Sequence, residues 1–350
     1  MAYSFTCGDD GMVAFVSSVT TLPEVDLSHS AGQLRDRLRE VAHEVGFFYL
    51  VGHDVPEALV GRVLAAARRL FALPQADKDA VAMVRSPHFR GYTRLGGELT
   101  RGEVDWREQI DIGPERVPVG GPGRPDYLWL QGPNQWPEGV PELRGIIAEW
   151  DFALAAVSRS LLRHWAASLG SPADIFDDAF ADAPATLIKV VHYPATAASS
   201  QGVGAHRDSG VLTLLLAEPG SRGLQVRAAG DGGWIDVPGR DGAFIVNIGE
   251  MLEVATGGYL RATEHRVNLH EAADRISVPY FFNPRLDAQI PTLSLPAELA
   301  ARARPRADPA DPMFPIYGRN AWKSRLRAHP DVAVAHGYVT GNAQDVTPAG

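Results

Sequence analysis

The chain has little of what would take it out of an ordinary aqueous compartment. Its 350 residues include one cysteine, Cys7, so no intrachain disulfide can form and a reducing, cytoplasmic setting is expected. No apolar run approaches the roughly 20 residues that a spanning helix needs, which argues against a membrane partner. The one apolar stretch near the start, Met12–Val19, follows Asp9-Asp10, where a signal peptide would carry positive charge. No block of Lys and Arg occurs either, and the net charge is −9 with a pI near 5.7. Nucleic acid is therefore not an expected partner. No repeat and no second independent domain can be read from the sequence, and oligomeric state is not legible.

What is present is a hydrophobic fraction of 45% with 35 Gly and 26 Pro, a composition that favours many turns and short strands over a helical bundle. Pro23–Ser28 reads as a short strand leading to a helix with Ser28 or Ser30 as N-cap, with Leu34, Leu38, Val41 and Val45 at helical spacing before Gly46. A buried strand, Gly46–Val51, and a second helix from about Pro56 to Leu73 follow. Residues 85–145 read as loop-rich, with Phe89-Arg90-Gly91-Tyr92 and Asp105-Trp106-Arg107-Glu108 as their most distinctive pieces, and Glu142–Leu169 as one long amphipathic helix backing a sheet. Strands are expected at Thr186–His192, Gly210–Ala217, Gly223–Arg227, Trp234–Val237, Ala243–Ile248, Glu250–Ala255, Glu264–Asn268 and Arg275–Phe282. A short helix or loop is expected at Ala297–Arg304, a helix at Asn320–Leu326, and a disordered tail at Thr347–Gly350. Many short strands with tight turns favour a sandwich or jelly roll.

The chemistry concentrates in Gly204–Gly210 and Thr263–Val267. In an extended strand His206 and Asp208, two apart, project to one side. A third ligand from another strand, His265, would complete a face of two imidazoles and one carboxylate, the donor set of non-haem Fe(II) oxygenases. Alternation then puts Arg275 and Ser277 on one face of a strand and Ile276 and Val278 on the other. A guanidinium fork beside a hydroxyl suits a carboxylate, since the planar donors match two oxygens. Arg107 and Glu108, in a region rich in Arg, Glu and aromatics, are candidates for the wall of a substrate pocket, with ordinary loop packing as the alternative.

His206-x-Asp208, His265 after 56 intervening residues, and Arg275-x-Ser277 together resemble the pattern of the 2-oxoglutarate/Fe(II)-dependent dioxygenases related to isopenicillin N synthase. The N-terminal order of helix, Gly46-Phe47-Phe48 strand, Gly52-His53, helix and Leu73-Pro74 is similar too, as are Gly223–Val226, Asn247–Glu250 and Thr256–Gly258. The resemblance runs over roughly residues 22–335. It implies a mainly β fold with flanking α-helices around a double-stranded β-helix (jelly roll): one oxygenase domain with a helical and loop cover over 22–170, a core over 180–285 and a C-terminal cover over 286–340.

The resemblance further implies Fe(II) held by His206, Asp208 and His265, with open positions for 2-oxoglutarate and O2. The far carboxylate of 2-oxoglutarate would meet Arg275 and Ser277, with the Tyr193 hydroxyl also in reach. The expected reaction is hydroxylation or desaturation of a small molecule, such as an amino acid, peptide or product of secondary metabolism, with release of succinate and CO2. Phe281 and the segment from Tyr317 to His336 are pocket walls by family position. Val191 stands where many relatives carry Asn, which removes a polar contact. Asp208 is intact, which disfavours halogenation. His270 is a rival third ligand, at the wrong distance from Arg275. Two alternatives remain open from the sequence: an oxidase or cyclase of the isopenicillin N synthase type that uses no 2-oxoglutarate, and a non-catalytic jelly roll with a structural zinc.

Overall fold

A computed structural model describes residues 21–195, 199–228, 232–269, 274–305 and 311–339; Cys7, Met12–Val19, His270 and Thr347–Gly350 lie outside them. In chain order the elements are β1 (Glu24–Asp26), α1 (Ala31–Glu44), β2 (Phe47–Val51), α2 (Glu57–Phe71), α3 (Gln75–Ala80), β3 (Gly91–Thr93), β4 (Glu98–Thr100), β5 (Glu103–Asp105), β6 (Glu108–Ile112), α4 (Leu143–Ser168) and β7 (Leu187–Tyr193). Then come β8 (Gln201–His206), β9 (Leu212–Ala217), β10 (Leu224–Arg227), β11 (Trp234–Asp236), β12 (Phe244–Ile248), α5 (Glu250–Ala255), β13 (His265–Asn268), β14 (Arg275–Phe282), α6 (Ala297–Ala300), α7 (Tyr317–Ala328) and α8 (Pro330–Ala335).

Eight strands form a sheet in the order β1-β2-β12-β9-β14-β7-β6-β3, and β11-β10-β13-β8 form a second. Period-two alternation gives the large sheet two apolar faces. Outward, Ile276, Val278, Tyr280 and Phe282 of β14 join a core with Leu38 of α1, Leu70 of α2, and Trp150, Leu161 and Trp165 of α4. Inward, Val191, Tyr193, Ala217 and Ile245 pack against Val203, Leu224, Val226 and Val267 of the small sheet. This is the expected jelly roll, a sandwich filled from both sheets.

Three expectations change. Residues 85–145 are not only loops, because β6 is a full member of the large sheet, paired with β3 and β7. Its sequence, Glu108-Gln109-Ile110-Asp111-Ile112, is wholly buried with three polar side chains, so it lacks the hydrophobic run that announces a central strand. Second, Glu250–Ala255 is the helix α5 rather than a strand. At its start Gly249 packs so close to Gly210 that an added Cβ would lie 2.2 Å from the Gly210 carbonyl oxygen, and the chain turns there. Third, β8 ends at His206, so Asp208 lies just past the strand. The N-cap of α1 is Ser30, whose hydroxyl donates to Gln33 at 2.7 Å.

A two-residue turn, Arg101-Gly102, with φ of 53° and 84°, closes the β4–β5 hairpin. The hairpin lies along β8: the Trp106 amide donates to the Gln201 carbonyl at 3.0 Å, and the Gly204 amide donates to Asp105 at 3.2 Å. This contact carries Glu98, Asp105 and Arg107 to the strand that ends in His206.

Candidate metal centre and its cavity

His206 and His265 face each other in the β8–β13 pairing, with ring centroids 4.3 Å apart. Nε2 of His206 lies 3.5 Å and Nε2 of His265 lies 3.7 Å from Oδ1 of Asp208. One donor atom from each of the three lies within 4.8 Å of the others. The remaining polar atoms are occupied. Nδ1 of His206 donates to the Gly204 carbonyl at 2.8 Å, and Nδ1 of His265 to the Thr263 carbonyl at 3.2 Å, which fixes the tautomers that leave both Nε2 lone pairs pointing inward. Oδ2 of Asp208 accepts from the Thr213 hydroxyl and, at 2.8 Å, from the Asn247 amide, leaving Oδ1 for a cation.

Electrostatics agree with that disposition. Burial opposes charge on Asp208, but His206, His265 and Asn247 outweigh it and hold the carboxyl well below the usual range. Burial, reinforced by neighbouring His206, pushes His265 down to about 4. Burial also works against charge on His206, yet the Asp208 carboxylate raises it above its ordinary value. A cation entering here meets the Asp208 carboxylate as its counter-charge. Two imidazoles and one carboxylate, converging from one side with their outer atoms already bonded, fit Fe(II).

Arg275 and Ser277 project from β14 into the sandwich interior beside Tyr193, which pairs directly with Arg275 across β7. Arg275 is 3% exposed, and its guanidinium stacks 4.6 Å from the Tyr193 ring. Nη1 donates to the Arg222 carbonyl, while Nε is buried without a partner. Among the described residues no carboxylate pairs with it; Glu218, whose charge it feels, accepts from Arg68 and from the Ile276 amide. A buried fork left short of an anion fits the end of a dicarboxylate. Val191, opposite Ser277, is fully buried among apolar neighbours and offers no polar contact.

A cavity of about 1280 Å³ opens beside the cluster, walled by His206, Asp208, Arg107 and Phe281 among others. His265, Arg275, Ser277 and Tyr193 are not part of its wall; they lie deeper between the sheets. Arg107 links the two layers. Burial disfavours its charge, but Glu98, Tyr193 and Asp105 more than restore it, and the charge in turn is felt at His206. Arg107 is bonded to Glu98 at 2.7 Å. Arg325 falls in the Tyr317–His336 segment expected as a pocket wall, and Arg90 in the aromatic and Arg-rich loop region; sequence reasoning missed Glu98 and Lys189 in this wall, and Thr213 and Asn247 behind Asp208. For Asn247 a signal existed, since Asn247–Glu250 belongs to the resemblance; the others have none in their local pattern.

Two family models match the chain: non-haem dioxygenase in morphine synthesis N-terminal over residues 22–139, and 2OG-Fe(II) oxygenase superfamily over residues 185–284. The chain is 35% identical to the 2-oxoglutarate-dependent dioxygenase frbJ of Dothideomycetidae sp., over 90% of this chain and 91% of that one. It is 33% identical to homoarginine-6-hydroxylase 2-ODD-C23 of Glycine max, over 73% and 79% of the two. Among solved structures, a putative 2OG-Fe(II) oxygenase family protein from Caulobacter crescentus superposes with a TM-score of 0.70 at 25% identity, covering 88% of this chain and 99% of that one.

Proposed function

Given that this chain belongs to the 2OG-Fe(II) oxygenase superfamily and is a 2-oxoglutarate-dependent dioxygenase, we propose that His206, Asp208 and His265 hold its ferrous ion. In this reading Arg275, Ser277 and Tyr193 receive the far carboxylate of 2-oxoglutarate, and the primary substrate lies in the cavity walled by Arg107 and Phe281. Iron, when bound, supplies O2 activation coupled to the oxidative decarboxylation of 2-oxoglutarate to succinate and CO2, chemistry that belongs to the cofactor.

The protein's own contribution is placement. Gly204, Thr263, Thr213 and Asn247 lock the three donors in position, Arg275 offers an unpaired buried charge to the co-substrate, and the apolar interior around Val191 and Val203 keeps water from that pairing. A relative named for homoarginine hydroxylation acts on a small molecule, which supports a small-molecule substrate here.

The observation that carries this reading is the convergence of Nε2, Nε2 and Oδ1, with every outer atom of the three side chains already bonded. Succinate release is expected to require both Fe(II) and 2-oxoglutarate and to vanish in His206→Ala and His265→Ala. Iron-dependent O2 consumption that proceeds without 2-oxoglutarate would instead favour an oxidase of the isopenicillin N synthase type.

A further inference from the structure

Beside the metal group, three cations share three buried carboxylates and a fourth stands apart. Lys189 and Arg107 converge on Glu98 at 2.6 and 2.7 Å, and Arg107 lies 3.5 Å from Asp105. Lys189 also lies 3.7 Å from Asp111, which bonds Arg325 at 2.5 Å. The fourth cation is Arg90. It is 7% exposed, donates through Nη2 to the Leu130 carbonyl at 3.0 Å, and keeps Nε buried without a partner.

Among the described residues no carboxylate forms an ion pair with Arg90. Its guanidinium lies flat against Gly113, where an added Cβ would fall 2.2 Å from Nη2, so the backbone has been cleared to seat it. Asp111 supports its charge but is already shared by Arg325 and Lys189, and Arg325 opposes it. Asp105 lies beside Arg107 and accepts from the Thr100 hydroxyl at 2.7 Å, and it forms no ion pair with Arg90.

A buried guanidinium lacking a counter-charge persists where a ligand supplies one, and Arg90 lines the cavity together with Arg325, Tyr317 and Asn283. Asn283 in turn accepts from the Val211 amide, three residues after Asp208, so this wall runs back to the metal group. The one guanidinium of this cluster without an ion pair among the described residues is that of Arg90, a single charge that one carboxylate can meet, and its planar fork suits two carboxylate oxygens.

We propose that Arg90, with Arg325 and Tyr317 beside it, receives a carboxylate of the primary substrate, so that the substrate class is a small carboxylic acid bound separately from 2-oxoglutarate. This rests on the reading that His206, Asp208 and His265 form the metal centre of the same cavity. Arg90 here is a binding and specificity-determining residue, set apart from the Arg275 anchor.

The test uses the full chain loaded with Mn(II) and N-oxalylglycine, a co-substrate mimic that fills the Arg275 site without turnover. Three acid and amide pairs serve as probes: propionate and propionamide, benzoate and benzamide, N-acetylglycine and its amide. In at least one pair the acid is expected to raise the melting midpoint by several degrees while the amide does not. Arg90→Met is expected to raise the midpoint of the ligand-free protein, to weaken binding of that acid by about tenfold or more, and to leave N-oxalylglycine affinity within about twofold.

Equal responses to acid and amide in every pair overturn the proposal, and that comparison needs no variant. Unchanged acid affinity in Arg90→Met overturns it as well and marks the residue as a strut for Leu130. Should Arg90→Met not fold, Arg90→Lys keeps the charge without the fork and is expected to lose about tenfold in acid affinity. If N-oxalylglycine itself does not bind, the metal and co-substrate reading has failed, and the acid and amide contrast in the unloaded protein still decides the role of Arg90.

Discussion

Strands β6, β7 and β14 carry charge on both of their faces, and the two faces settle it differently. On the outward face Glu108 accepts from Lys78 at 2.8 Å, from Nδ1 of His192 at 2.8 Å and from the Tyr92 hydroxyl. The other nitrogen of His192 meets Asp274 at 2.7 Å, and its ring stacks on Phe71 of α2. Every charge there has a partner from the protein. One residue further along the same strands, Tyr193 and Arg275 face inward, and the guanidinium has an aromatic ring and a carbonyl but no carboxylate. A buried cluster that closes on itself holds elements together, whereas one left short of an anion is shaped for a ligand.

Breaking the closed cluster should therefore cost stability and spare the chemistry. Glu108→Ala strands the buried Lys78, and its expected cost is about 3–5 kcal/mol, read by denaturant unfolding, with an unchanged KM for 2-oxoglutarate. An equal loss of co-substrate affinity would break the comparison.

Acid titration sharpens the same contrast. Burial works against ionisation of Glu108, but His192, Lys78 and Tyr92 bring its pKa down to about 2 from 4.5. A depressed folded pKa means stability fully present above pH 4.5 and lost as pH falls toward 2, by about 3 kcal/mol. His192 has the opposite sign: burial lowers its pKa, Glu108 and Asp274 raise it further, and the net rise gives stability that is present below pH 6.5 and lost as pH climbs through the folded pKa. Unfolding measured across pH should show both edges in the wild type and a shallower acidic one in Glu108→Gln, since Asp208 and other depressed carboxylates still contribute to it.

On the open side, Arg275→Met removes a charge with no protein partner. Its expected effect is a KM for 2-oxoglutarate raised by about 10–100-fold, with no loss of ligand-free stability; destabilisation with an unchanged KM would contradict the anchor role. The smallest effect is expected from Asn247→Ala, which frees one lone pair of Asp208 and should weaken iron binding by about 10-fold, within the range for groups that orient a metal ligand. A fluorescence or calorimetric titration with Mn(II) reads that change without turnover.

The inward placement of Arg275 and Ser277 was legible in the sequence because alternation within one strand separates them from Ile276 and Val278, and the structure keeps that separation. The grouping of His206 and Asp208 was legible for a partly different reason than strand periodicity, since Asp208 lies past the end of β8 and is held by Thr213 and Asn247 from two other strands. Arg325 lay in a segment expected as a pocket wall, but its pairing with Asp111, and that of Glu98 with Lys189, left no trace. Glu98 and Lys189 are 91 positions apart, and Asp111 and Arg325 are 214 apart. Pairs that form only through tertiary folding have no local signature. Glu250–Ala255 was misread because six residues with apolar Met251, Leu252, Val254 and Ala255 fit a short strand as readily as one and a half helical turns.

The most direct test of a shared ferrous site is an anaerobic titration of the protein with Fe(II) and then 2-oxoglutarate, followed by visible absorption. The wild type should develop a charge-transfer band that saturates at one iron and one 2-oxoglutarate per chain, and Asp208→Ala should develop none. A wild-type protein without the band, or an Asp208→Ala variant that keeps it, would contradict the assignment of His206, Asp208 and His265 to one ion.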